Sequence, residues 1–225
     1  MGSNIGIAFA VRQEAAPFLG RLRRKRFFTI DEVRFCHGGL GDSGCVTFLT
    51  GMGRLNAERA TRVFFENFTP RALVMAGFAG GIDPVLETGD LLLGENVSDP
   101  QLMDRAKERL AGEIGRLRIF VGFLQTVDAP VVSPRDKQAL ARGTAVSAVD
   151  METAGVLRVA KVAGCPVLAL RVVSDAAGEA LPVDFGRFLD ENHNLDRARL
   201  MWHVLAHPSC LLPLAGFGWR TGWAA

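Results

Sequence analysis

Three short stretches of this chain place carboxylates where chemistry could use them. VDMETAG, residues 149–155, sets Asp150 and Glu152 on either side of Met151, after an apolar strand-like run and before an apolar helical one. CPVLALRVVSD, residues 165–175, ends in Ser174 and Asp175. IGIAFAVRQEAAPF, residues 5–18, carries Glu14 just past its apolar run. Carboxyl groups serve as general acids and bases, and ionised ones accept hydrogen bonds from hydroxyls. Singly, each has an ordinary explanation. Asp175 can start a loop and cap the next element, Glu152 sits in a helix first turn where the macrodipole favours an acid, and Glu14 fits a solvated helix. Their shared position at the ends of strand-like runs is what singles them out.

Strands and helices alternate along the chain. Residues 5–11, 33–37, 45–50, 72–81, 91–97, 118–127, 144–149 and 165–175 read as strands, 118–127 being a strand pair or one bent strand. Helices are expected over 14–24, 56–68, 133–142 and 151–164. Ser133-Pro134 supplies an N-cap and N1 pair, and Gly164 a C-terminal stop. Near-continuous apolar strands alternating with helices predict an α/β fold, a three-layer αβα sandwich around a central mixed sheet. Ligands in such folds lie at the carboxyl ends of strands. That gathers Glu14, Gly51-Met52-Gly53, Gly77 to Gly81, Asp150 to Glu152 and Ser174-Asp175.

Composition excludes several classes. With 26 basic and 24 acidic residues in 225, and a net charge of +2, the overall balance makes no case for a nucleic-acid groove. Cys36, Cys45, Cys165 and Cys210 lack zinc or disulfide spacing, which suits reduced thiols in a cytoplasmic protein. His37, His193, His203 and His207 show no metal-ligand spacing, so no metal is expected. No basic n-region precedes the first apolar run, and no run is long enough to span a bilayer. GFAGG lacks the spacing of a dinucleotide-binding turn.

As a set, IGIAFAVRQEAAPF, TGMG, AGFAGGIDPVLETGD and AVDMETAGVLRVAKVAGCPVLALRVVSD resemble the superfamily of purine nucleoside phosphorylases and methylthioadenosine/adenosylhomocysteine nucleosidases. DAPVVSPRDKQAL, VDMET, VVSDAAGEALP and LMWHVLAHPSCLLPL are similar to the narrower hopanoid-associated phosphorylase family, linked to adenine removal from adenosylhopane. The resemblance implies cleavage of an N-glycosidic bond. Asp175 would be the general acid facing purine N7, Glu14 the water-activating base, Glu152 the grip on the ribose hydroxyls, and Met151 the surface under the ribose. Asp150 is expected to support the site rather than touch substrate. Ala79, Gly80, Val132 and Ser174 complete the expected substrate set. Phe78 stands where a small hydroxyl residue is common, which fits either an apolar 5′ substituent or plain packing.

The nucleophile stays open between water, favoured by Glu14, and phosphate as co-substrate, for which Gly53, Arg54 and Arg12 are available. No other cofactor is implied. Three further readings stay open: a methylthioadenosine/adenosylhomocysteine nucleosidase, a purine nucleoside phosphorylase, and a non-catalytic nucleoside-binding protein. Residues 1–197 form the expected catalytic domain. Residues 198–225, with Trp202, Trp219, Trp223 and Arg220, read as an apolar helix and tail that packs on the domain, on a partner, or on a membrane surface. Superfamily resemblance favours a homodimer. The segment between Gly94 and Arg118 looks short, and a partner chain or the tail is expected to complete the site.

Overall fold

The structure, a computed structural model, describes residues 5–41, 43–113 and 117–181. In chain order it comprises β1 (Ile5–Phe9), α1 (Arg12–Arg21), β2 (Arg23–Ile30), β3 (Val33–Leu40), β4 (Ser43–Leu49), α2 (Arg54–Asn67), β5 (Ala72–Gly81), β6 (Leu91–Gly94), α3 (Pro100–Leu110), β7 (Ile119–Thr126), α4 (Pro134–Ala141), β8 (Val146–Asp150), α5 (Thr153–Val162) and β9 (Val167–Asp175). The expected apolar tail, and His193, His203 and His207, lie outside the described residues.

The fold is α/β with a central mixed sheet, as the alternation predicts. Strand order is β2-β3-β4-β1-β5-β8-β7-β6-β9, and β5 also pairs with β9. Strands β5, β8, β7, β6 and β9 therefore close into a ring, while β1, β4, β3 and β2 fan out from it to a free edge at β2. β1 runs parallel to β4 and β5, and β5 parallel to β9, so four carboxyl ends face one side.

Side-chain alternation along β1 separates the two faces. Ile7 and Phe9 join Ala15, Leu22, Cys36 and Cys45 under α1. Ala8 joins Phe35, Phe48 and Phe64 under α2 and α5. Phe64 is fully buried and stacks on Phe48 with centroids 4.5 Å apart. Burying one such ring stabilises the fold by about 1.5–3 kcal/mol. Glycine lets the two helices meet. A Cβ on Gly155 would stand 2.3 Å from the Arg54 carbonyl, so the start of α5 lies directly on the start of α2.

Two segments differ from expectation. The helix predicted over 14–24 starts at Arg12 and ends at Arg21, and RRKRFFTI continues as strand β2. Leu22 turns to extended geometry and is buried, and β2 pairs with β3 through a two-residue turn at Asp31 and Glu32, both at positive φ. The second is the segment between Gly94 and Arg118, where no helix is expected. It contains α3, whose N-cap Asp99 accepts from the Gln101 and Leu102 amides with Pro100 in the first turn.

Candidate active site

Four strand ends and the β8–α5 turn bring two buried polar clusters to the same edge of the sheet. Consecutive residues of β5 join them.

The first cluster surrounds Arg171. This side chain leaves the middle of β9 and is fully buried. Its Nη2 pairs with Asp150 Oδ2 and donates to Thr153 Oγ1 at 2.7 Å. Asp150 is further held by the Thr153 hydroxyl and amide and by the Thr126 hydroxyl at 2.7 Å. Arg171 Nε and Nη1 have no hydrogen-bond partner among the described residues. Burial alone would lower the Arg171 pKa, but the negative charges of Asp150, Glu152 and Glu14 outweigh it and raise it.

Glu14 reaches this cluster from the first turn of α1. Its Oε2 accepts from the amides of Ala10 (2.8 Å) and Val11 (3.2 Å), and its Oε1 from that of Phe78 (2.8 Å). The carboxyl thus ties the β1–α1 turn to β5. Gly77 makes the approach sterically feasible: a Cβ there would lie 2.6 Å from Arg171 Nη1 and 2.7 Å from Glu14 Oε1. Burial raises the Glu14 pKa against the opposing pull of Arg171 and the three amides. A buried carboxyl raised in this way and fixed by three amides suits a general base.

Glu152 enters at the start of α5, and its Oε1 accepts from the Gly53 amide at 2.9 Å across the α2–α5 contact. Burial, opposed by Arg171 and reinforced by Asp150, pushes its pKa from 4.5 to about 7. The folded pKa is raised, so the stability due to Glu152 is full below about pH 4.5 and is lost as pH rises through about 7. Glu152→Gln is expected to remove that loss, worth at most about 3–4 kcal/mol. Denaturant midpoints between acidic and mildly alkaline pH should converge relative to the parent. An unchanged pH slope would disprove the assignment.

The second cluster surrounds Asp175 at the end of β9. Its Oδ2 pairs with the ammonium of Lys137, a fully buried residue of α4. Lys137 Nζ also donates to the carbonyls of Ala176 (2.7 Å) and Glu179 (3.0 Å). Ser174 Oγ lies within hydrogen-bond reach of Asp175 Oδ1 (2.5 Å) and the Ala79 carbonyl (3.2 Å). Gly80 brings backbone close to the acid, since a Cβ there would sit 3.5 Å from Oδ2.

The structure therefore unites Glu14, Gly53, Phe78 and Glu152 at one cluster, and Asp175, Ser174, Ala79 and Gly80 at the other. Met151 is buried in the turn between Asp150 and Glu152, and the half-buried Val132 lies just before α4, its carbonyl accepting from Leu181. Arg54 and Arg12 do not join them. Arg54 pairs with Asp128 at the surface, 3.2 Å away, and Arg12 lines a separate groove beside α1. Sequence reasoning missed Arg171 and Lys137. A lone charge inside the apolar run CPVLALRVV was a legible signal for the first. Nothing distinguishes Lys137 from a surface lysine of a short helix.

A base held by amides, a guanidinium with free donors and an acid on a cation can bind a small hydroxylic nucleophile and protonate a leaving group. The chain is 26% identical over 211 residues to the 5'-methylthioadenosine/S-adenosylhomocysteine nucleosidase of Shewanella oneidensis, covering 82% of this chain and 89% of that one. Its fold matches the nucleosidase of the same name from Neisseria meningitidis, solved with methylthio-immucillin-A, with TM-score 0.71 at 24% identity over 79% and 87% of the two chains. It also matches a futalosine hydrolase of Helicobacter pylori, with TM-score 0.63 at 22% identity over 76% and 89%. The sequence pattern of the Phosphorylase superfamily matches residues 4–99 and 94–201, and the chain belongs to that superfamily.

Proposed function

We propose that this chain hydrolyses the N-glycosidic bond of an adenine nucleoside, releasing adenine, with adenosylhopane as the first candidate substrate. The observation that carries hydrolysis is the meeting of Glu14 and the unpartnered Arg171 Nη1 at Gly77, with Glu152 in the field of the same guanidinium. Water would lie there on C1′. Glu14 takes one of its protons as the C1′–O bond forms, and Asp175, having taken up a proton from solvent, delivers it to purine N7 as the C1′–N9 bond breaks, so adenine leaves neutral. The proton returns from Glu14 to Asp175 through solvent. Lys137 touches no substrate atom in this scheme; it positions Asp175. Glu152 holds the ribose hydroxyls and Met151 packs beneath the ring.

Two observations weigh between readings. Arg12 and Arg54, the residues available for phosphate, are placed elsewhere, which supports water over phosphate. Phe78 gives its backbone amide to Glu14, and a phenylalanine at that position supports an apolar 5′ group. The names of the relatives favour instead a short methylthio or homocysteine group. A non-catalytic binder would need neither the buried Lys137–Asp175 pair nor the free Arg171 donors. With the hopanoid reading go a tail, residues 198–225, resting on the inner membrane face, and a homodimer.

The test is adenine release from adenosylhopane in detergent, methylthioadenosine and adenosine, each with and without phosphate. Release fastest from adenosylhopane and indifferent to phosphate is expected. Faster release from methylthioadenosine would reassign the 5′ group, and a phosphate requirement would overturn water as nucleophile.

A further inference from the structure

The net charge of +2 conceals a strongly uneven distribution. RLRRKR, residues 21–26, places five cations in six positions, and no acid occurs between residues 15 and 30. Arg23, Arg24, Lys25 and Arg26 are all exposed on β2, the free edge of the sheet, and none forms an ion pair among the described residues. The strand bulges between Arg23 and Arg26, where Arg24 takes a φ of 51°. Next to them Phe27 is 65% exposed.

Behind this edge, between α1 and the sheet, lies a groove of about 480 Å³. Ala16, Leu19 and Gly20 of α1 form one wall, and Cys36 and Leu49 lie on its sheet side. Arg12, Lys25 and Arg34 are its charged lining residues, and it contains no acid. An edge strand needs charge or a bulge to refuse pairing with another strand, and β2 has both. That need explains neither the exposed ring nor an apolar groove lined by cations of one sign.

We propose that the β2 edge and its groove dock this protein on an anionic lipid surface. The unpaired cations would sit among lipid head groups, and Phe27 would enter the interface. The groove would take part of an acyl chain with its head group on Arg12, Lys25 or Arg34. The basic stretch flanks a single ring rather than a row of stacking aromatics, which favours a lipid surface over a nucleic-acid strand. This face lies on the α1 side of the sheet, the groove lining includes no residue of either polar cluster, and docking through it does not depend on the 5′ group of the substrate.

The full chain should co-sediment with vesicles containing phosphatidylglycerol and not with pure phosphatidylcholine, and added salt should release it. Reversing Arg24, Lys25 and Arg26 together to Glu should weaken vesicle binding on the order of a hundredfold. Phe27→Ser should weaken it less and leave its salt dependence intact. Circular dichroism and thermal melting of both variants should match the parent, so that lost binding is not lost fold. Unchanged binding in the triple variant would overturn the proposal and assign attachment to another part of the chain. So would the absence of binding to either vesicle, or tighter binding of the parent to single-stranded DNA than to anionic vesicles.

Discussion

Arg171→Met is expected to destabilise the fold by about 3–5 kcal/mol and to abolish adenine release. A typical domain holds only about 5–15 kcal/mol in total, so this is a large share. The cause is the surroundings of the guanidinium rather than its size, which methionine roughly fills. Asp150 pairs with it directly, and Glu152 and Glu14 lie within its field. Without it, three carboxyls face one another in a water-poor site. Arg171→Lys keeps the charge but cannot pair with Asp150, reach Thr153 and present two further donors at once. It should recover part of the stability and little of the activity. Guanidinium denaturation beside an adenine assay checks both halves. A Met variant with an unchanged midpoint would show that the carboxyls neutralise one another without Arg171.

Asp175→Asn is expected to lower turnover by about 10²–10⁴-fold while leaving nucleoside binding nearly intact. The amide cannot deliver a proton to the purine, but its oxygen can still accept from Lys137. The Ser174 hydroxyl can rotate to accept from the new amide nitrogen. Local geometry should therefore survive better than chemistry. Lys137→Met is the informative companion, because it leaves Asp175 in place while removing the cation and the donor to the Ala176 and Glu179 carbonyls. If Lys137 positions the acid, its loss should alter the pH profile of turnover as well as stability. Loss of stability with an unaltered profile would reduce it to a packing role. Single-turnover kinetics separate binding from chemistry in each variant.

The acids were legible in the sequence because each closes an apolar run, and strand ends are where α/β sheets hold ligands. Arg171 and Lys137 were not proposed, although they organise those acids. Their roles depend on which neighbours the tertiary fold supplies, such as the Asp175 carboxylate 38 residues beyond Lys137. Strand β2 was hidden for a related reason. RRKRFFTI lacks the alternation of a half-buried strand because its first four residues face solvent beyond the core. Its turn, Asp31-Glu32, holds positive φ without glycine or asparagine, so the usual hairpin signal is missing. Helix α3 carried a readable Asp99-Pro100 start and needed only to be weighed as a helix.

The ring of five strands bears on how the protein folds. β5 and β9 pair in parallel, with Ser174 meeting Ala79 across 95 positions of chain. Glu14 meets Phe78 across 64 positions, and Gly53 meets Glu152 across 99. Contacts at such separations are entropically expensive to close, and they make folding slow. A helix such as α2 needs only local contacts, but the pairs that join the strands of the site do not form without the tertiary fold. Recovery of turnover during refolding therefore times the closure of β9 onto β5, and on a ribosome the site cannot assemble until β9, the last described element, has emerged.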